Sequence, residues 1–297
     1  MSVYRNAIWF LNGIHHYTRK GYETASKDFE PQDLDVSVVG RSFMVTGANS
    51  GIGRATAMAI AKKGGTVHMV CRNKDKAEEA RVDIVDKSGN TEVYIHIVDV
   101  SETRKVWEFA EAFKKQYPSL NVLINNAGCM VHKREVNAEG LEKNFATNTM
   151  GVYILTQTLI PLLQKSRDPR VITVSSGGML VQKLRVNDLQ SEKGDFDGLM
   201  VYAQNKVGEE DVIQIKRLTF LRRCSGSISE ITRSKTAGGA DTAVGQSQPC
   251  HSLLCNASRL GRYTSCFHIN ASVPPDDGGE TARCRARSRH CCMVGLV

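Results

Sequence analysis

The sequence contains no apolar run approaching the roughly 20 residues needed to cross a bilayer, so no membrane-spanning helix is expected. It opens with no secretory leader, and the expected location is cytoplasmic. Cysteine is scarce through most of the chain: of nine, only Cys71 and Cys129 precede residue 220. In a long chain without a leader this points to reduced thiols, not to a disulfide framework. Paired C-x-x-C units are missing too. Cys250, Cys255, Cys284, His290, Cys291 and Cys292 therefore lack zinc-ligand spacing, and no metal is expected. A strong charge of one sign is also lacking. The net charge of +8 over 297 residues is modest and spread out, which argues against a nucleic-acid partner.

What is present is a hydrophobic content of 41%, enough for a core, in a length that suits one large domain or two small ones. The stretch Phe43-Met44-Val45-Thr46-Gly47-Ala48-Asn49-Ser50-Gly51-Ile52-Gly53 organises the rest. Ser42 to Val45 reads as a strand and Arg54 to Lys63 as a helix, with a glycine-rich turn between them. That order brings backbone N–H groups and a helix N-terminus to a pyrophosphate. Gly47 permits a sharp turn, Gly51 leaves no Cβ in the way of a phosphate, and Gly53 lets the helix approach the sheet. Asn49, Ser50 and Ile52 complete the candidate cradle.

Residues 1–38 form a separate N-terminal segment. Ala7-Ile8-Trp9-Phe10-Leu11 lies among Arg5, His15, His16, Tyr17, Arg19, Lys20 and Tyr22. It reads as an amphipathic helix, packed on the domain or lying on a membrane surface through residues 4–17. Pro31, Asp33 and Asp35 end it. Further strands are expected at Val67–Cys71, Val93–Val98, Leu120–Ile124 and Arg170–Val174, and helices at Lys74–Lys87, Val106–Tyr117 and about Leu141–Leu163. Alternation of this kind predicts an α/β fold, a doubly wound parallel sheet of the Rossmann type over 39–206. Ligands then bind at the carboxyl ends of the strands, where Gly47, Asp99, Asn125 and Ser176 fall. Asp99 suits either the adenine amino group or a helix N-cap, a role Ser101 also fits. The second strand ends in Cys71-Arg72 where an acidic residue would favour NAD(H). A guanidinium grips a 2′-phosphate, so NADP(H) is the expected cofactor, with NAD(H) the alternative.

Tyr202 and Lys206 stand one helical turn apart on the same face. Joined with Thr46-Gly-x-x-x-Gly-Ile-Gly53, Asn125-Asn126-Ala127-Gly128 and Ser175-Ser176, this pair resembles the short-chain dehydrogenase/reductase family over residues of about 40–206. The Asn187–Glu192 stretch between Ser176 and Tyr202 is similar to the retinol-dehydrogenase-like branch. The resemblance implies hydride transfer between NADP(H) and a small carbonyl or alcohol substrate, with a lipid-like one among the candidates. It implies Tyr202 as acid/base and Lys206 as its activator and ribose ligand. It further implies Ser176 on the substrate oxygen with Ser175 its neighbouring alternative, Asn148 holding a relay water, and Asn125, Ala127 and Gly128 lining the cofactor cleft. The chemistry is intelligible: a phenol ionises near pH 10 unaided, and a neighbouring ammonium favours its anion.

After Lys206 the resemblance stops. From Cys224 there is little periodicity. Dropping one base from a degenerate back-translation makes Gly238–Thr264 compatible with VVLTQRWAKANPAIHFSAMHPGWADT and Cys284–Leu296 with AEQGADTAVWLA, both family-like. Residues of about 207–237 are therefore expected to be an inserted segment and the rest to be read out of frame, so that 207–297 forms a non-family tail, disordered in character, that leaves the sheet incomplete on its C-terminal side. Asn256-Ala-Ser258 and Asn270-Ala-Ser272 match a glycosylation pattern, and Arg283 to Arg289 form a basic run. Two outcomes compete: a working reductase, or a cofactor-binding or unstable splice-type product without turnover. Oligomeric state is left open.

Overall fold

Five short β-branched and apolar runs become five parallel strands. β1 (Ser42–Thr46), β2 (Thr66–Cys71), β3 (Val93–Ile97), β4 (Val122–Asn125) and β5 (Arg170–Thr173) lie in the order β3-β2-β1-β4-β5 in a computed structural model that describes residues 3–208. Parallel strands need crossover connections, and helices supply them: α3 (Gly51–Lys62), α4 (Lys74–Ser88), α5 (Thr103–Gln116) and α7 (Gly151–Leu163). The α/β doubly wound fold expected from the alternation is the one observed.

Side-chain alternation along β1 builds two cores. Phe43 and Val45 face Ala57 and Ala61 of α3 and Ala77, Ala80 and Ile84 of α4. Met44 faces the other way, toward Val106, Ala110 and Phe113 of α5 and Leu155, Leu159, Leu162 and Leu163 of α7. Each large side chain buried in this way stabilises the fold by about 1.5–3 kcal/mol. The strand order turns back between β1 and β4, so their carboxyl ends diverge there and open a crevice.

Several boundaries differ from expectation. α3 begins at Gly51, with Ser50 as its N-cap, so Gly51 and Gly53 belong to its first turn. β4 starts two residues late, since Asn121 uses its side chain to accept from Ser42 N–H (2.9 Å) before the ladder begins. The single helix expected from Leu141 is instead α6 (Lys143–Phe145), a π-helical turn (Ala146–Met150) and α7. Glu142, fully buried, starts it by accepting from the N–H groups of Asn144 (2.9 Å) and Phe145 (2.8 Å). The N-terminal segment is α1 (Val3–His16), α2 (Arg19–Ala25) and two 3-10 turns, Ser26–Asp28 and Pro31–Leu34. A last helix, α8, is described over 198–208. Residues 209–297, with the expected tail, its cysteines, glycosylation patterns and basic run, lie outside the described residues. No described helix is long and apolar enough to cross a membrane.

A pair of histidines sits inside the α5 layer. His68 Nδ1 and His96 Nε2 are 3.2 Å apart, ringed by Tyr94, Phe109, Phe113 and Tyr117. Burial holds His68 down to about 3, with His96 beside it adding to the effect, and burial holds His96 down to about 4. The unfolded chain takes up these protons near pH 6.5, whereas the folded chain refuses them until about pH 4. Stability therefore falls as pH drops from 6.5 toward 4 and is complete above 6.5. Urea unfolding should show a loss of about 2 kcal/mol per histidine between pH 7 and 5. A His68→Asn/His96→Asn variant should lose that slope.

Candidate active site

The crevice between β1 and β4 is built around the glycine turn. Gly47 has φ +67° and donates its N–H to Val70 C=O (2.8 Å), which ties the turn to β2. Gly51 has φ +50°, and a Cβ there would meet nothing within 4 Å, so space lies open in front of the α3 N-terminus. Gly53 has none: a Cβ would stand 2.3 Å from Gly47 C=O and 2.5 Å from Asn126 Nδ2. Ser50 makes no side-chain cap bond, and Asn49 and Ile52 are half-buried beside it. A cradle with open space, a left-handed glycine and a helix N-terminus fits a dinucleotide pyrophosphate.

The loop after β4 clamps this turn. Thr46 Oγ1 accepts from the N–H groups of Asn126 and Ala127, both at 2.9 Å. Asn126 Nδ2 donates to Thr46 C=O at 2.8 Å. Cys71 supports the turn from the other side: its buried thiol accepts from the Ala48 and Asn49 backbone, and burial pushes that thiol up. Sequence reasoning gave no separate role to the Thr46 hydroxyl or the Cys71 thiol, and gave Asn126 only a share, with Asn125 to Gly128, in supporting the sheet and lining the cleft. Their signal was position, since each sits at the end of a strand adjoining the crevice. Asn125 itself is turned into the core, where its Nδ2 donates to Thr156 Oγ1 of α7 (3.0 Å). It ties β4 to α7 and supports the sheet.

Arg72 is exposed at the end of β2, and its charge reaches Cys129 and Lys143 on the β4 side of the crevice. Among the described residues no carboxylate forms an ion pair with it. Asp99 folds onto Ser101, whose N–H (2.9 Å) and hydroxyl (2.7 Å) both donate to Oδ1. Neither Asp99 nor Ser101 caps α5. Glu139 does, accepting from Thr103 N–H (3.1 Å) and Arg104 N–H (3.0 Å) from 36 and 35 residues away. A cap so distant in sequence has no local signal.

The π turn places Asn148, fully buried, against the next loop residue. Its Oδ1 accepts from Cys129 N–H and its Nδ2 donates to Cys129 C=O, both at 2.8 Å. The side chain thus makes one bond through each end of its amide, and π turns of this kind recur at functional sites. Gly128 keeps the passage narrow, since a Cβ there would lie 3.3 Å from Asn148 Oδ1 and 3.9 Å from Lys206 Nζ.

α8 carries Tyr202 and Lys206, the residues expected to act as acid/base and its activator. Asp197 Oδ1 starts the helix by accepting from Leu199 (2.9 Å) and Met200 (3.2 Å) N–H groups. Gly198 lets it press on the β4 loop, where a Cβ would stand 2.3 Å from Val131 C=O. Lys206 is buried at 2% exposure and donates from Nζ to Val174 C=O at 2.8 Å. That ammonium lies 5.8 Å from the ring centroid of Tyr202, which is half-buried. Val174 leads into Ser175 and Ser176. Ser175 Oγ donates to Met179 Sδ (3.0 Å), so it is occupied locally. Ser176 Oγ accepts from Gly178 N–H (3.2 Å), which leaves its own proton to donate. A Cβ on Gly178 would lie 4.0 Å from Ala203 Cβ, which sets the serine turn beside the helix segment of Tyr202. Among the described residues no cluster of His, Cys, Asp or Glu is arranged to hold a metal.

Residues 41–216 match the short chain dehydrogenase family. The chain is 65% identical over 206 residues to dehydrogenase/reductase SDR family member 12 of Bos taurus, covering 69% of this chain and 65% of that protein's own length. It is 34% identical over 248 residues to retinol dehydrogenase 11 of Mus musculus, covering 84% of this chain and 73% of that protein. Among solved structures, a short chain dehydrogenase from Escherichia coli CFT073 complexed with NADPH is similar at 25% identity, with a TM-score of 0.52 over 65% of this chain and 76% of that one. A match covering well over half of the chain, laid over the strand ends that gather these side chains, makes this chain a member of the short chain dehydrogenase family of oxidoreductases.

Proposed function

We propose that the protein transfers a hydride between NADP(H) and an apolar carbonyl or alcohol, with Tyr202 as acid/base. The observation that carries this reading is the buried Lys206 ammonium beside the Tyr202 ring, tethered to Val174 C=O at the root of the serine turn. When bound, the dinucleotide supplies or accepts the hydride. In the reducing direction the Tyr202 hydroxyl gives its proton to the substrate oxygen, and the Lys206 charge stabilises the phenolate left behind. Ser176, its proton uncommitted, donates to the same oxygen and orients it. Asn148 anchors the backbone past which protons return from solvent. Oxidation runs these proton movements in reverse.

The glycine turn, with Gly47, Asn49, Ser50, Gly51, Ile52 and Gly53, holds the pyrophosphate by backbone N–H groups. Lys206, Tyr202, Ala127 and Gly128 receive the nicotinamide ribose, and Asp99 keeps one carboxylate oxygen for the adenine. Arg72, without an ionic partner among the described residues, receives the 2′-phosphate, which favours NADP(H) over NAD(H). The similar structure in complex with NADPH supports this preference. The likeness to a retinol dehydrogenase supports a lipid-like substrate. We place the domain boundaries at 39 and 206. The exposed Ile8, Phe10, Leu11 and Ile14 of α1 favour weak contact with a membrane surface.

Tyr202→Phe should lower NADPH-dependent turnover of apolar aldehydes by about 10²–10⁴-fold. It should keep most of the NADPH-induced rise in melting temperature, because the glycine turn and Arg72 still hold the phosphates. Wild-type protein showing neither turnover nor a melting shift at millimolar NADPH would sink the reading and favour a product without turnover. Arg72→Glu should weaken NADPH binding by about 10–100-fold while NADH binding changes little, measured by calorimetry. Ile8→Ser/Leu11→Ser should abolish co-sedimentation with anionic phosphatidylserine vesicles. Equal recovery of both proteins in the pellet would remove the membrane contact.

A further inference from the structure

The segment ahead of the dinucleotide-binding fold reaches the catalytic turn. Trp9 donates its Nε1–H to Gly177 C=O at 2.8 Å, across 168 residues of sequence. A Cβ on Gly177 would stand 2.8 Å from Tyr17 Cε2 and 3.0 Å from Cζ, so the Tyr17 ring occupies the space that a side chain there would fill. Trp9, Gly13 and Tyr17, spaced one turn apart, are the half-buried positions of residues 7–17, and the rest of that stretch is exposed. Tyr17 N–H donates to Gly13 C=O at 2.8 Å, which carries the helical spacing one turn past α1. Gly177 follows Ser176 directly, and Leu180 continues an apolar surface from the same turn at 43% exposure.

Trp9 and Tyr17 thus pack on the residue next to Ser176, within reach of a molecule whose carbonyl oxygen meets that serine. We propose that α1 and Tyr17 form the substrate-pocket wall on the Ser176 side, selecting carbonyl compounds with an apolar chain that lies on the Tyr17 and Trp9 rings. The inference rests on the reductase reading and deepens it. Aromatic side chains suit the task because they offer a large rigid apolar surface at little entropic cost. The Trp9 bond to Gly177 fixes the wall to the backbone that bears the catalytic serine, so wall and hydroxyl move as one. Burial pushes the Tyr17 phenol up, which keeps it neutral beside an apolar ligand.

The test uses the full chain and straight-chain aldehydes from butanal to dodecanal with NADPH. Tyr17→Ala should raise KM for dodecanal about tenfold with kcat within about twofold, and leave butanal nearly unchanged. Tyr17→Phe should restore the wild-type pattern, since the ring and not the hydroxyl makes the wall. Tyr17→Leu serves in place of Tyr17→Ala if the latter does not fold, with an intermediate KM expected. Chain-length selectivity identical to wild type in a folded variant would overturn the inference while the reductase reading stood. A second readout needs no turnover. The chain has two tryptophans, Trp9 and Trp107, so Trp107→Phe leaves Trp9 as the sole indole emitter. Titration with 2-decanone should change its emission saturably, and Gly177→Val, which displaces the Tyr17 ring, should abolish the change. Absence of a saturable change would overturn the wall even if turnover is found. A saturable change without any turnover would support the wall and count against the reductase reading.

Discussion

Everything at the crevice depends on how two diverging strands are held at a fixed separation. β1 and β4 are neighbours in the sheet, yet their connections leave in opposite directions, and nothing in the ladder holds the loops beyond them. The hydroxyl of Thr46 and the amide of Asn126 do this. One oxygen collects two backbone N–H groups, and one amide returns a bond to the β1 carbonyl. Backbone polar groups at such a break must be satisfied in some way. Here they are satisfied by each other, which leaves the α3 N-terminus facing open space and not a protein cap. A cradle for an anion is what remains when the turn's other needs are met internally.

The second constraint is the buried charge at Lys206. An ammonium removed from water is costly unless it is bonded. Its bond to Val174 C=O fastens α8 to the end of β5 and fixes where Tyr202 and Ser176 stand relative to each other. Gly128 and Gly198 allow this by omitting side chains where the β4 loop touches Lys206 and the start of α8. Tyr202, Lys206 and Ser176 thus sit on the same scaffold that shapes the glycine turn, linked through Gly128, Asn148 and Cys129. Preorganisation of this kind matters because fixed dipoles and charges need not rearrange as the reaction proceeds.

The N-terminal segment joins the same construction from outside the sheet. α1 divides its surface between Trp9 and Gly13, which with Tyr17 just beyond its end form a half-buried stripe, and the exposed Ile8, Phe10, Leu11 and Ile14. The packed helix and the surface-seeking helix expected as alternatives prove compatible, because a 3.6-residue period gives one helix two faces. The first face reaches the serine turn, and the second remains for a surface.

The chain's own residues settled the strands, the parallel character of their sheet and the glycine turn, because period, glycine spacing and strand–helix alternation are local properties. Gly47, Gly51 and Gly53 were readable for that reason, as was the Tyr202–Lys206 turn. Contacts between residues far apart in sequence were not readable. Glu139 capping α5, Asn125 turning to Thr156, Asn148 bonded to Cys129 and Trp9 reaching Gly177 each join distant segments. Which of several polar neighbours receives a given side chain is decided by which backbone groups the packed sheet leaves unsatisfied. No window of sequence contains that information; only the folded arrangement of the layers supplies it.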